Sequence, residues 1–204
     1  RITDLLSSPG DTVDYNGRKL TYPDIRLVYW CGGNPFHHHQ DLNRLIEAWQ
    51  RPETIVIQDP WWTPAARYAD IVLPATTTLE RNDIGVARLD PYMTAMRQAV
   101  NPVGEARDDF SIFADLSQRL GFGDAFTEGR DEMGWLRHMY DVSRQQISAK
   151  GIQMPSFDEF WEQGNFQFPD PQKPHVLYDE FRADPKRHPL VTPTGKIEIF
   201  SETI

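Results

Sequence analysis

A chain of 204 residues with 21 Lys and Arg against 30 Asp and Glu carries a formal charge of −9 and repels phosphate backbones, which speaks against a nucleic-acid binder. No run approaches the roughly 18 uninterrupted apolar residues of a membrane helix. An apolar share of 39%, with six Trp, seven Tyr and eleven Phe, is enough for a packed core and excludes disorder throughout. The single cysteine, Cys31, can neither close an internal disulfide nor alone hold zinc or an iron–sulfur cluster. That leaves bacterial cytoplasm and periplasm both open. The chain starts at Arg1 without the charged, apolar and small-residue series of a secretion signal; a start other than Met is expected of a processed chain or an excised piece.

Residues 1–24 are turn-rich, with Pro9, Gly10, Asn16 and Gly17 leaving little scope for long elements. Ile25 to Trp30 is a short apolar run stopped by Gly32 and Gly33. Leu42, Leu45, Ile46 and Trp49 then recur at helical spacing, so the pattern predicts an amphipathic helix over Asp41 to Gln50. Thr54 to Ile57 reads as a buried strand released at Asp59-Pro60, Thr63 to Ala69 as a short helix, and Ile71 to Leu73 as a third strand. Strands apolar on both faces, alternating with helices, predict an α/β fold: a Rossmann-like parallel sheet covered by helices.

Further along, Met93 to Val100 reads as extended and Glu105 to Leu120 as a helix, with Gly121 at its end and Phe110, Phe113, Ala114, Leu116 and Leu120 on one side. Asp131 to Ile147 is predicted helical, with Trp135, Leu136, Met139 and Val142 as the buried stripe. Ser156 and Glu159 fit a capping box, in which a hydroxyl and a carboxylate three residues apart satisfy orphan amides. From Gly164 to Pro193 prolines recur, which predicts an irregular proline-rich arm ending in a strand-like Lys196 to Phe200. The expected division is residues 1–150 as the α/β domain and residues 151–204 as a short helix and arm.

In an open parallel sheet, ligands sit beyond the carboxyl ends of the strands. Three such ends carry suitable groups. Cys31 to His39 offers two glycines for close backbone approach and Asn34 as donor and acceptor; Gln58-Asp59 offers a carboxylate able to accept from ribose hydroxyls or the N–H edge of a guanine. Thr76 to Thr78 with Glu80, Arg81, Asn82 and Asp83 offers hydroxyls and a guanidinium for a phosphate or pyrophosphate. Each has a plainer reading, as a strand-to-helix turn or a solvated ion pair. Zinc on His37 and His39 with Asp59 is a further alternative, weakened by the adjacent spacing of the histidines; His38 or His39 fits better as a polar cap on a cofactor. Trp61, Trp62 and Phe36 lie near these loops, where an aromatic ring can stack on a flat heterocycle.

Taken in order, the segments YWCGGNPFHHHQDLNRL, IQDPWWTPAARYADIVLPATTTLERNDI, EARDDFSIFADLSQRLG, TEGRDEMGWLRHMYD, MPSFDEFW and HPLVTPTGKIEIFSETI resemble the molybdopterin oxidoreductases. Within that family the likeness is to reductases of dimethyl sulfoxide, trimethylamine N-oxide and biotin sulfoxide, and it covers nearly the whole chain; Gly85 to Val103 is shorter and less similar. The resemblance implies an internal piece of an enzyme that carries molybdenum on two molybdopterin guanine dinucleotides. The serine ligand of the metal and the second-pterin domain would lie elsewhere, so the piece alone would be inactive, with the cofactor absent or incomplete. It implies that Asn34, His38, Gln58, Asp59, Arg81 and Asp109 bind the dinucleotide and that no residue here is catalytic or a metal ligand. The implied partners are a small S-oxide or N-oxide and an electron donor, with no nucleic acid and no membrane span. A stand-alone guanine-nucleotide-binding or interaction module, and a histidine-dependent metal hydrolase, are the alternatives from other classes.

Overall fold

The computed structural model describes residues 2–87, 90–169 and 176–200. The chain divides into two units, Arg1–Ser7 with Ile25–Pro169, and Ser8–Asp24 with Asp170–Ile204. The first unit opens with helix α1 (Ile2–Ser7). The second contains an antiparallel hairpin of β1 (Thr12–Tyr15) and β2 (Arg18–Thr21). Asn16 and Gly17 both take positive φ at its turn, 49° and 72°, the backbone twist that tight hairpins favour.

In the first unit, β3 (Leu27–Cys31), β4 (Thr54–Asp59) and β5 (Ile71–Pro74) form a parallel sheet in that order. Cys31 pairs with Gln58 and Asp59 with Pro74, so the carboxyl ends of the three strands lie side by side. The connections carry α2 (Pro35–His38), α3 (Leu42–Trp49) and α4 (Pro64–Arg67). Leu45, Ala48 and Trp49 from α3 meet Ile55 and Ile57 from β4, Ala65 and Ala66 from α4, Leu6 from α1 and Phe36 from α2 in the first core. Asp41, expected inside the third helix, instead caps it, accepting from the Arg44 amide at 3.3 Å.

A second, antiparallel sheet is made of β6 (Asp83–Val86), β7 (Tyr92–Met96) and β8 (Asn165–Gln167). It packs with α7 (Glu132–Ser148) and α8 (Phe157–Gln163), reached through α5 (Asp109–Arg119) and α6 (Gly123–Thr127). The capping box at Ser156 and Glu159 is present in full. Several expectations are corrected. The extended segment is confined to β7, and the fifth helix starts at Asp109, because Asp108 caps its Ser111 amide while Arg107 bonds to Pro74 and Thr76 beside β5. Leu120 is 63% exposed beyond the last turn, and Ile112 and Ser117 are buried in its place. On α7 the buried stripe is Leu136 and Tyr140, an i, i+4 pair against Phe157 and Phe160; Met139 and Val142 face away.

Within 164–193 the described residues contain β8 and a short α9 (Asp179–Ala183), while 170–175 lie outside the described residues, as do 88–89 within 85–103 and the last four residues of the final similar segment. Lys196 to Phe200 forms no strand. Thr192 Oγ1 donates to the Lys196 carbonyl and the Thr194 amide and hydroxyl donate to Glu198, so this stretch curls on itself with Ile197, Ile199 and Phe200 exposed. No helix among the described residues is long and apolar enough to cross a membrane.

Candidate functional site

The level strand ends of the parallel sheet open into a cleft of about 490 Å3. Its walls come from all three predicted loops: Cys31 and Gly32 after β3, Gln58 and Trp61 around the end of β4, Thr76 to Thr78 with Arg81 after β5. Asp109 joins them from the start of α5.

The first loop is shaped by Gly32 and Gly33, both left-handed with φ of 68° and 67°, a conformation that a Cβ would strain. The Gly32 amide donates to the Gln58 carbonyl at 3.2 Å and the Trp30 indole donates to the Gly32 carbonyl at 2.9 Å, tying the turn to β4. Asn34 caps α2, its side-chain oxygen accepting from the Phe36 amide at 3.2 Å. His37 and His38 are exposed and His39 half-buried, with the His38 and His39 rings 5.0 Å apart. No group of three His, Cys, Asp or Glu side chains suited to a metal occurs among the described residues, which leaves the zinc reading without support. Phe36, a candidate for ring stacking, is instead core: it stacks on Tyr68 and meets Trp49 edge-on. Trp61 and Trp62 are about two-thirds exposed, and Trp61 lines the cleft.

Gln58 is 1% exposed and bonded at both ends of its amide. Its oxygen accepts from the Tyr29 hydroxyl at 2.8 Å and its nitrogen donates to Asp109 Oδ1 at 2.5 Å. Asp59, buried at the last position of β4, is occupied locally: Oδ1 accepts from the Trp61 amide at 2.9 Å and Oδ2 from the Thr63 hydroxyl at 3.1 Å. It therefore sets the turn that carries Trp61. Tyr29, which sequence reasoning did not single out, belongs to the site's frame. The signal available was strand parity, which puts it on the face that carries Gln58.

The third loop is organised by Glu80, 7% exposed. Its carboxylate accepts from the Thr77 amide, the Thr77 hydroxyl and the Val103 amide, each at 2.8 Å. Thr76 is buried with its hydroxyl unpartnered, a polar atom the protein alone does not satisfy. Arg81 donates to the Thr76 carbonyl at 3.1 Å and to Asp83 Oδ2 at 3.0 Å. Guanidinium has five N–H donors, so its capacity is not exhausted by these two bonds. The donor set thus fits an anion at Arg81 and the threonines and an N–H or hydroxyl edge at Asp109, which is the chemistry of a nucleotide. Of the six predicted residues, Gln58, Arg81 and Asp109 line the cleft; Asn34, His38 and Asp59 sit in the adjoining turns.

Electrostatics follow the same layout. Burial and the Asp109 charge push the Cys31 thiol up, and burial, Cys31 and Asp109 raise the Tyr29 phenol, so both hold their protons at neutral pH. Hydrogen bonds from the Thr77 amide, the Thr77 hydroxyl and the Val103 amide hold Glu80 below its ordinary value of about 4.3. A carboxylate with a depressed folded pKa contributes stability above the unfolded value and loses it as pH falls through the folded one. The stability gap between wild type and Glu80→Gln, read from urea midpoints, is therefore expected to be widest at neutral pH and to close below about pH 4.3. A gap independent of pH would show that the charge of Glu80 contributes nothing to holding this turn.

Residues 7–119 match the family model described as molybdopterin oxidoreductase. The chain belongs to the molybdopterin oxidoreductase family. It is 54% identical over its full length to a biotin sulfoxide reductase of Cereibacter sphaeroides, covering 27% of that protein. It is 49% identical to a dimethyl sulfoxide/trimethylamine N-oxide reductase of Rhodobacter capsulatus and 47% to a trimethylamine-N-oxide reductase of Haemophilus influenzae, in each case over 100% of this chain and 25% of the relative. The chain thus spans about a quarter of the length of these curated relatives. Among solved structures, acetylene hydratase from Pelobacter acetylenicus superposes with a TM-score of 0.60 over 99% of this chain and 24% of its own, at 21% identity, which shows a shared fold. The named relatives at high identity are S- and N-oxide reductases, and the stand-alone guanine-nucleotide or interaction module finds no support in them.

Proposed function

We propose that this chain is the part of a molybdenum oxidoreductase that grips a molybdopterin guanine dinucleotide, and that the whole protein reduces an S-oxide or N-oxide. The observation that carries this is the convergence of Gln58, Thr76 to Thr78, Arg81 and Asp109 on one cleft in a chain of this family. In this reading residues 1–150 act as a Rossmann-like dinucleotide domain and residues 151–204 as the helix and proline-rich arm leading from it. Arg81 and the Thr76 to Thr78 turn hold the pyrophosphate, and Asp109, fixed by Gln58, accepts from the nucleoside. Asp59 holds the Trp61 turn against it, and Asn34 and His38 close the side formed by the Gly32-Gly33 loop. When bound, the molybdenum cofactor supplies two-electron oxygen-atom chemistry, with an electron donor restoring it; the residues of this chain orient the cofactor and balance its charge.

The test is compositional. The full-length protein is expected to contain molybdenum and to release GMP on acid hydrolysis, and to reduce dimethyl sulfoxide, trimethylamine N-oxide or biotin sulfoxide with an artificial donor. The 204-residue chain alone is expected to reduce none of them. A metal-free and guanine-free full-length protein would end the reading.

A further inference from the structure

The wall of the cleft that carries Asp109 is held by a relay that begins outside the cleft. Tyr29 and Cys31 share one face of β3, and Val56 and Gln58 share the same face of β4, since Tyr29 pairs with Val56 and Cys31 with Gln58. The phenol of Tyr29 therefore reaches diagonally to the Gln58 amide, at 2.8 Å. The Tyr29 ring rests against Phe113, with centroids 5.6 Å apart. Phe113 lies four residues after Asp109, so one face of α5 supplies both the ring contact and the carboxylate. Strand and helix meet through these two contacts.

The direction of each bond is forced. An ionised carboxylate only accepts, so Gln58 must turn its nitrogen towards Asp109. Its oxygen then points at Tyr29 and needs a donor, because Gln58 is 1% exposed and an unpaired amide oxygen there is costly. The Tyr29 hydroxyl, whose proton is held by burial and by the neighbouring Cys31 and Asp109, is that donor.

We propose that Tyr29 is a positioning residue for the dinucleotide: by donating to Gln58 it anchors the side chain whose nitrogen fixes Asp109 in the cleft wall. Without the hydroxyl, the buried Gln58 oxygen has no donor, and the side chain shifts to find one, drawing its nitrogen off the Asp109 carboxylate. Asp109 then leaves the position in which it accepts from the nucleoside. Tyr29 acts through Asp109 and touches no ligand itself. The inference rests on the reading that this cleft holds the dinucleotide.

The experiment is a double-mutant cycle in the full-length protein with Tyr29→Phe, Asp109→Asn and the pair, measuring the rate at which bound guanine dinucleotide is lost on dilution, read as GMP after acid hydrolysis, beside the thermal midpoint. Tyr29→Phe keeps the ring on Phe113, so the fold is expected to hold, with the thermal midpoint as the check. Loss is expected to be about tenfold faster in Tyr29→Phe, the effect of one displaced charge-assisted hydrogen bond. In the Asp109→Asn background, Tyr29→Phe is expected to add nothing. Wild-type retention in Tyr29→Phe, or the same factor in both backgrounds, would overturn the positioning role while the dinucleotide reading stands. A wild-type protein without guanine nucleotide would overturn both.

Discussion

Trp49→Ala is expected to destabilise the first unit by about 3–5 kcal/mol, the usual cost of removing a large buried aromatic. Trp49 is 1% exposed at the end of α3, edge-on to Trp30 at 5.8 Å and to Phe36 at 5.3 Å. It thus joins a strand that leads into the glycine turn to the helix that leaves it. Its indole nitrogen is buried without a hydrogen-bond partner, so the side chain contributes through packing alone. Trp49→Phe, which deletes that unpaired donor and keeps a ring against Phe36, is expected to cost less than about 2 kcal/mol. Urea unfolding followed by far-ultraviolet circular dichroism separates the two, and equal losses would contradict the packing argument. The consequence reaches the cleft, because Phe36 is the second residue of the helix that Asn34 caps. Loosening Trp49 releases Phe36, and the turn carrying Gly32 to Asn34 loses its anchor.

The parallel sheet was legible because its strands are short apolar runs and its third helix has a clean apolar stripe. The three loops followed from strand order, since parallel strands leave their chain ends on one edge. The antiparallel sheet was less visible. β6 is four residues long with Gly85 in the middle, and it begins inside the charged Glu80 to Asp83 segment, which reads as a loop; it becomes a strand only by pairing Asp83 to Val86 with β7. The stripe on α7 was misread because Met139 and Val142 are as apolar as Leu136, and only the position of α8 selects Tyr140.

At the site, residue types were readable but their engagements were not. Asp59 has the chemistry of a ribose acceptor, yet its oxygens are taken by Trp61 and Thr63, two and four residues on. Asp109 looks like a helix-dipole residue until Gln58, 51 positions earlier, is found against it. Contacts at that sequence separation depend on the crossing of α5 over the sheet, which no local pattern encodes.

The second large effect is expected at Arg81. If the cleft holds the proposed dinucleotide, Arg81→Ala in the full-length protein should accelerate its loss by about 10–100-fold, corresponding to one hydrogen bond to a charged group at about 1.5–3 kcal/mol. The guanidinium spends one arm on the Thr76 carbonyl and another on Asp83, which fixes its plane beside the threonine turn while donors remain for a phosphate. Arg81→Lys keeps the charge but cannot hold a carbonyl, a carboxylate and a phosphate in one plane, so it should fall between wild type and Arg81→Ala. Asp83→Asn tests the same geometry from the other side. The partly buried ion pair with Arg81 would be reduced to a hydrogen bond from the guanidinium to the amide oxygen, so the fold is expected to stay intact. With the guanidinium plane less firmly fixed, Asp83→Asn should release the dinucleotide faster than wild type and more slowly than Arg81→Ala. Release rates read as GMP after acid hydrolysis decide the matter: if Arg81→Ala keeps its nucleotide as long as wild type, Arg81 belongs to the β6 turn alone and the anion at this end of the cleft must be held by the backbone of Thr76 to Thr78.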